Sequence, residues 1–535
     1  MAYLDLHAHL RNLEQRGMLR RITRPIDKNT ELHPLVRLQF RGLEERERKA
    51  FLFEHVTDRA GTRYRFPVLA AGLAASRDMY ALGLQCSTEE ISSAWMRALE
   101  RPIPTVEVRE GRVQDEVHML GPDAPAGTGL DMFPIPISSP GWDPAPFLTC
   151  AHWISHDPVT GVRNVGNYRG HVKAPNRVGL VLLSQSQGIY GHWEAARRKG
   201  VPLEVAIVVG APPVVTYAAA SKVPIGVDEL AIAGALAGAP IPVVRCKTVD
   251  VWVPADAEIV LEGRVSTEFL EPEGPFGEFY GHVHPVEYGR IMDITCITHR
   301  SDAIWNTLVS QVAPSESSVL RRLGSEAMYL RQLRDTLGIK SVRRVVLYEP
   351  LLSVRKLAII QMEKPHSDQA RRALLAAASF IAAGAKIVIA VDVDIDPEDL
   401  TNVMWAVGLR SKPHRDVTII PGFQQGLMPP FGALDDNGMV IAHGSEEDSV
   451  MLIDATMKQP FPPVSLPKKE YMERALAIWQ ELGLPALELK SPWFGYGLGQ
   501  WSEKLERAAR QAVSGEYRSY GDELKNRRIA VPKDD

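Results

Sequence analysis

Cysteine is scarce: Cys86, Cys150, Cys246 and Cys296 are the only four in 535 residues, and they form no CxxC pair. That excludes the dense disulfide framework of a small secreted scaffold and favours a reducing cytoplasm. An excess of either charge is also missing, with 61 Lys+Arg against 65 Asp+Glu and a net charge of -4. No whole-chain field exists to draw nucleic acid or an anionic membrane, and no basic patch stands out, so neither partner is expected. Long apolar runs are absent. The most apolar stretch, Leu374 to Val391, is interrupted by Ser379, Gly384 and Lys386 and reads as a buried helix followed by a strand, not a membrane span. The opening MAYLDLHAHLRNLEQRG carries histidine and charge where a secretion signal needs an apolar core, which again favours a cytoplasmic protein. Repeats and low-complexity tracts are lacking too. What is there, 45% hydrophobic and 24% charged residues over roughly three or four domain-sized units, suits small-molecule chemistry.

Leu6, Leu10 and Leu13 recur at helical spacing, with Leu19 beyond them, and predict an amphipathic helix ending near Gly17. Residues 122 to 147 are too rich in Pro and Gly for regular structure. Strand-like runs follow at Val178–Leu183, Val205–Val209, Val243–Lys247, Ile259–Val265, Ile291–Thr298 and Ile304–Val309, spaced as in a barrel or sandwich. One short helix interrupts them, with Asp228 as N-cap, Gly238 just past its end and Pro240 beyond. A long helical pattern from Glu316 to Leu337 stops at Gly338 and suits a connector. After it come strands Val342–Leu347 and Leu357–Met362, a helix Ser367–Ala383, a strand Lys386–Asp392 and a helix Pro397–Val407 capped by Asp396. Residues 421 to 448 form a Gly/Pro-rich loop long enough to cover a substrate. Apolar stripes through Met472, Ala475, Leu476, Trp479 and Leu482, and through Leu505, Ala508, Ala509 and Ala512, predict terminal helices that pack on the body or on a second subunit.

Two histidine pairs tempt a metal reading. His7 and His9 have the H-x-H spacing that metal-dependent amidohydrolases place after a first barrel strand. Only Met1 to Leu4 precede the motif, and Leu10 and Leu13 continue a helix, so a solvated helix face is expected instead. His282 and His284 lack a third ligand at helical spacing and are expected in a surface turn.

Three segments concentrate charge-handling groups: Asn164-Val165-Gly166-Asn167-Tyr168-Arg169, the helix start Gly226-Val227-Asp228-Glu229, and Glu273-Gly274-Pro275-Phe276-Gly277-Glu278. In the last, a Gly-Pro-Phe-Gly turn separates two carboxylates, which either sit at a hairpin tip in solvent or converge on one site. In this order, and with LHAHLRNLEQRGMLRRITRPID at the start and Ile453-Asp454-Ala455-Thr456-Met457-Lys458 late, the chain resembles the UbiD family of decarboxylases that use prenylated FMN.

The resemblance implies an α+β, multi-domain fold: a split β-barrel cofactor domain joined by a long helix to an α/β oligomerisation domain. The corresponding limits are an N-terminal α/β segment at 1–120, the prenylated-FMN domain at 121–312, the connecting helix at 313–340, the α/β domain at 341–425, and a covering loop with terminal helices at 426–535. It implies Arg169, Glu273 and Glu278 as the catalytic arginine and acids. Arg169 suits a carboxylate fork, with Glu273 expected to pair with it and hold it in place, and Glu278, beside Phe276 and Phe279, is the better proton donor because desolvation favours the protonated carboxyl.

Asn164 and Glu229 match ligands of a divalent metal, Mn or Mg, that ties down the cofactor phosphate. Tyr168 and Arg169 fall in the same cofactor-binding stretch. Ser221 and Lys222 lie where relatives surround a potassium ion with oxygens, although a lysine is an odd neighbour for that cation. The family's third metal ligand is a histidine about twenty residues after the N-x(4)-R run. Here Gln185 is the simplest match, a weaker ligand than imidazole, and His192 stands farther along the chain. Phe279, Leu427, Met428 and Phe431 resemble an apolar wall against the substrate.

The implied reaction is reversible, non-oxidative decarboxylation of an aromatic, heteroaromatic or α,β-unsaturated carboxylic acid. A flavin prenyltransferase would supply the cofactor, and the assembly would be a homo-oligomer, dimer or hexamer. A catalytically silent flavin-binding subunit and a metal-dependent hydrolase using His7, His9, His282 and His284 are the rival readings.

Overall fold

In the computed structural model, Asp5 accepts a hydrogen bond from Ala8 N at 2.7 Å and starts a helix, Leu6–Gln15, that buries Leu6, Leu10 and Leu13 and gives way to Gly17 at φ +66°. The structure describes residues 5–182, 187–221, 223, 226–350, 356–363, 366–380, 384–423, 431–443, 448–495 and 501–530, without the side chains of 367, 431–433 and 440–443. Neither histidine of the first pair is a solvated group. His9 is fully buried with Nε2 2.8 Å from Gly72 O, and His7 Nε2 lies 3.1 Å from the buried Glu258. The helix covers a four-stranded sheet in the order Leu19–Ile22, Ala50–Phe53, Val68–Ala70, Trp305–Thr307. Its last strand comes from the run expected in the barrel. Trp305–Thr307 pairs in parallel with Val68–Ala70 instead, so the N-terminal segment and the central unit share a sheet.

The central unit is a sheet of ten strands. Its main path runs Arg163–Asn167, His152–His156, Leu203–Val209, Ile259–Val265, Glu287–His299, Arg177–Leu180, Gly170–Ala174, Phe147–Leu148, all antiparallel, while Glu271–Glu273 and Glu116–Met119 also pair with the long strand Glu287–His299. Asn167 ends a strand at one edge, and Gly170 begins a strand near the other edge. Only Tyr168 and Arg169 bridge them, so the sheet must curl until its two ends meet, giving a half-barrel. Three helices, Gly188–Lys199, Pro213–Ala220 and Glu229–Ala237, pack on the Arg163–Asn167 strand. Glu229–Ala237 begins and ends where the sequence indicates: Asp228 accepts from Leu230 N at 2.9 Å, and Gly238 takes φ +72°.

A helix from Glu316 to Leu330, prolonged by a π-helical turn to Thr336, leads out of this unit. Glu316 is fully buried and accepts from Ala71, Leu73 and Val309 N at 2.8–3.2 Å, fastening the connector to the N-terminal sheet. Burial raises its carboxyl pKa to about 7. Beyond lies a five-stranded sheet, Val342–Tyr348, Leu357–Met362, Ile387–Asp392, Ser449–Asp454, Val417–Pro421, with two separate apolar cores. Helix Ser367–Ser379 contributes Ala370, Ala373, Leu374 and Ala377 to one core; helix Leu400–Arg410 contributes Val403 and Ala406 to the other.

Three expectations need correction here. The second helix starts at Leu400 because Asp399, not Asp396, caps Thr401 N and Asn402 N, at 2.9 and 3.3 Å. Ser449–Asp454, beyond the limit expected at 425, is an interior strand of this sheet. The stretch read as a loop includes a hairpin, Phe431–Leu434 with Val440–His443. Val286 N donates to Gly438 O at 3.0 Å and so joins the hairpin to the central unit. The terminal helices Lys469–Glu481, Glu503–Val513 and Arg518–Lys525 bury no residue, and Leu482, Trp501, Val513 and Tyr517 are exposed. Among the described residues, no helix is long and apolar enough to cross a membrane.

Candidate active site

A cavity of about 530 Å³ opens where the curled sheet closes, and two charged centres line it. The first is built on Arg169. Its Nε and Nη2 fork onto Glu273 at 3.1 and 2.6 Å, and Nη1 donates to Glu278. The guanidinium lies 5.2 Å from the Phe276 ring centre, and Phe276 packs on Phe147 at 4.4 Å. All three charged side chains are at most 8% exposed.

Local pairing explains the convergence of the acids. Glu271–Glu273 pairs with Glu287–Gly289, and Phe276–Gly277 pairs with Val283–His284. The intervening turn is closed by Glu278 N donating to His282 O at 2.9 Å. Asp143 fixes the approach by accepting from Gly277 N at 3.1 Å and Ser139 N at 2.7 Å. Burial lifts the Glu273 carboxyl pKa, against the pull of Arg169. Burial also works against the Arg169 cation, but Glu278 and Glu273 together hold its pKa above the usual guanidinium value. The centre therefore holds one permanent cation between two carboxyl groups.

The second centre gathers Asn164, Tyr168 and Glu229. Glu229 accepts from Val165 N at 2.9 Å, and burial raises its pKa to about 7. Asn164 is buried, and its Nδ2 has no hydrogen-bond partner among the described residues. A side chain at position 188 would put its Cβ 1.9 Å from Asn164 Oδ1, so only glycine lets the helix Gly188–Lys199 start this close. Burial pushes the Tyr168 phenol up to about 12. Arg163 holds the arrangement together by forking onto Asp228.

A buried, weakly compensated carboxylate beside a buried amide whose donor has no partner among the described residues fits a site for a cation and a phosphate. His192 lines the same cavity. It lies one helical turn beyond Gly188, which brings it to the same wall despite its distance along the chain. Burial lowers its pKa to about 4, so the ring is neutral, with Nδ1 2.9 Å from Ser155 Oγ.

Among the other expected residues, Ser221 and Phe279 line the cavity. Ser221 Oγ donates to Tyr217 O at 2.8 Å. Gln185, Lys222, Leu427 and Met428 lie outside the described residues, and Phe431 is described as the first residue of its hairpin strand, without its side chain. His284 is not in a surface turn: it is buried, with Nδ1 2.7 Å from Tyr280 Oη and Nε2 3.1 Å from Glu287. His7, His9 and His284 are thus engaged with separate partners, His282 is exposed, and among the described residues the four offer no common hydrolase metal. Sequence reasoning missed Asp143, the Arg163–Asp228 pair and Arg321, whose guanidinium stacks on Phe279 at 3.8 Å. For Asp143 and Arg163 the partners stand far away in the chain, and no local signal marks them.

Comparison with known proteins gives a consistent pattern. The family profiles of the 3-octaprenyl-4-hydroxybenzoate carboxy-lyase N-terminal, Rift-related and C-terminal domains match residues 10–99, 105–312 and 318–442. An uncharacterized protein of Synechocystis sp. is 31% identical over 92% of this chain and 96% of its own length. The UbiD-class enzyme HmfF from Pelotomaculum thermopropionicum, solved as an evolved dimeric form in complex with prFMN, superposes with a TM-score of 0.73 at 32% identity, covering 87% of this chain and 97% of that one. Vanillic acid decarboxylase from Sedimentibacter hydroxybenzoicus, in its closed form, superposes with a TM-score of 0.76 at 25% identity, covering 90% and 100%.

Proposed function

The chain belongs to the UbiD family of carboxy-lyases, and from that membership we propose that it reversibly decarboxylates an aromatic, heteroaromatic or α,β-unsaturated carboxylic acid with prenylated FMN in the cavity. The observation that carries this reading is Arg169, one guanidinium shared by two buried carboxyl groups, lining the same cavity as Asn164 and Glu229. About 530 Å³ lies within the usual range of small-molecule sites.

The prenylated flavin, when bound, supplies a ring that accepts the electron pair left on carbon as carbon dioxide departs. Side chains do the rest. Arg169 receives the substrate carboxylate with part of its fork, while Glu273 holds the remainder and fixes its direction. A third carboxylate beside one guanidinium is unfavourable unless a proton is shared among them, and Glu278, which lines the cavity where Glu273 does not, is the one placed to pass that proton to the substrate. After the carbon–carbon bond breaks, Glu278 gives that proton to the carbon that lost carbon dioxide and regains one from solvent. Carboxylation is the same sequence reversed.

Asn164 and Glu229 would hold a divalent cation, Mn²⁺ or Mg²⁺, which would supply positive charge for the cofactor phosphate, with Gln185 or the cavity-lining His192 as a third ligand. Ser221 belongs to the potassium position expected beside Lys222. Phe279, Leu308 and Val181 give a flat apolar wall for an aromatic ring. The exposed apolar residues of the terminal helices suit association with a second copy, and the HmfF relative has been solved in a dimeric form.

The test is expression with and without a flavin prenyltransferase, followed by the absorption spectrum and mass of the released cofactor and a panel of aryl carboxylic acids assayed for carbon dioxide. Turnover confined to protein carrying the prenylated flavin supports the proposal. Bound prenylated flavin with no turnover of any acid would favour a silent subunit, and turnover by flavin-free protein would refute the cofactor assignment.

A further inference from the structure

A second cluster of ligating side chains lies away from the cavity. Strand Glu116–Met119 pairs antiparallel with the end of Glu287–His299, placing His299 opposite Glu116 and Ile297 opposite His118. Strand alternation puts Glu116 and His118 on one face, and His299, directly across from Glu116, shares it. The donor atoms converge: His118 Nε2 lies 3.0 Å from His299 Nε2, and Glu116 Oε2 lies 3.6 Å from His299 Nε2 and 3.9 Å from His118 Nε2. This is the one group of three or more such ligands among the described residues. Two nitrogen ligands on one tetrahedral zinc stand roughly 3.3 Å apart, given bonds of about 2.0–2.1 Å, so the triangle needs only small adjustments to close on an ion.

His299 is pre-set for this. Its Nδ1 lies 2.8 Å from Arg300 O. A carbonyl only accepts, so Nδ1 carries the proton and the neutral ring keeps its Nε2 lone pair towards the cluster. Metal-binding histidines are oriented by the same kind of outer hydrogen bond. The ring is fully buried and met edge-on by Phe66 and Phe133, at 5.2 and 5.7 Å between ring centres, which bars other rotamers. His118 and Glu116 are about a third exposed, 34% and 31%, so one side stays open to solvent for the ion and for a water as fourth ligand. Without an ion, His118 Nε2–H donates to His299 Nε2. Binding moves that proton to His118 Nδ1 through solvent and leaves the ring neutral.

We propose that Glu116, His118 and His299 form a zinc-class transition-metal site, distinct from the cavity. Two imidazoles and one carboxylate suit zinc and disfavour magnesium and calcium, which take oxygen ligands. Arg65 competes for both carboxylate oxygens, with Nη2 2.8 Å from Glu116 Oε1 and Nη1 3.3 Å from Oε2, so the site binds less tightly than a closed structural one.

The test loads the full chain, stripped by chelator, with Co²⁺ as a spectroscopic probe and Zn²⁺ as competitor, and compares wild type with His118→Gln and Glu116→Gln. Wild type should gain a visible d–d band displaced by Zn²⁺. Both variants should lose it together with one equivalent of bound metal, or more than about tenfold in Zn²⁺ affinity, while flavin binding and decarboxylation persist. Equal stoichiometry and spectra in wild type and both variants would overturn the site. So would loss of all bound cobalt in Glu229→Gln alone, since every ion would then belong to the cavity.

Discussion

Arg163 and Asp228, 65 positions apart, form a forked ion pair that ties the strand carrying Asn164 to the first turn of the helix that begins at Glu229. The same Asp228 Oδ1 caps that helix through Leu230 N. One carboxylate therefore sets the end of a helix and the spacing of the two side chains proposed to share a metal.

Asp228→Ala should cost about 1–3 kcal/mol, from a lost cap plus a part-buried arginine left unpaired, and should reduce bound metal and flavin. Asp228→Asn keeps a capping oxygen and should recover part of the stability. Urea unfolding with metal analysis of the same samples checks both. Equal metal content in all three proteins would disconnect the clamp from the site.

Glu278→Gln should retain flavin and lower kcat about 10²–10⁴-fold, the usual contribution of a positioned proton donor. Arg169→Lys should raise KM for the acid as well, because a lysine cannot reproduce the fork across Glu273 and the substrate. Steady-state carbon dioxide release separates the two effects, and wild-type turnover in Glu278→Gln would end its role as proton donor.

Gly188→Ala adds a methyl group 1.9 Å from Asn164 Oδ1. The asparagine must swing away, so metal and cofactor content should fall while the far-ultraviolet circular dichroism stays that of the wild type. Full occupancy in Gly188→Ala would mean that Asn164 is not a ligand.

Burial lowers the pKa of His9 from 6.5 to about 4, against the opposing hydrogen bond that its Nε2 donates to Gly72 O. The folded state thus keeps it neutral where the unfolded chain binds a proton. The stability it contributes is complete above about pH 6.5 and disappears as pH falls towards 4, a loss of about 2–3 kcal/mol by pH 4.5. Denaturant unfolding at pH 7 and 4.5 should show a smaller decline for His9→Asn than for wild type.

What could be read from the chain, and what could not, divides by distance along it. The helix Glu229–Ala237 was legible because Asp228, Gly238 and Pro240 all act within one turn of its ends. The neighbouring case misled for the same reason. Asp396 and Asp399 are both plausible caps, and only the structure shows that Asp399 engages Thr401 and Asn402 while Asp396 N is occupied by Asn402 Oδ1. Burial of His9 was invisible because its partner, Gly72 O, is brought in by tertiary folding, whereas His284 is compensated locally by Glu287 and Tyr280 in a turn that leaves no periodic signal.

In the site itself, Arg169, Glu273 and Glu278 could be named from the family resemblance, and so could the Glu273–Arg169 pair that the structure shows, but not the strand pairing with Glu287–Gly289 and Val283–His284 that brings them together. Trp305–Thr307 and Ser449–Asp454 carry no local mark of the sheet they join.

The span of Tyr168 and Arg169 between the two ends of the curled sheet has a mechanical consequence. Any flattening or tightening of the half-barrel, including one caused by substitutions far away on Leu203–Val209 or Ile259–Val265, must be absorbed across these two residues. The guanidinium therefore acts as a gauge of the curvature of the whole sheet. If Arg169 binds the substrate carboxylate as proposed, substitutions that touch neither substrate nor cofactor would reach affinity through it.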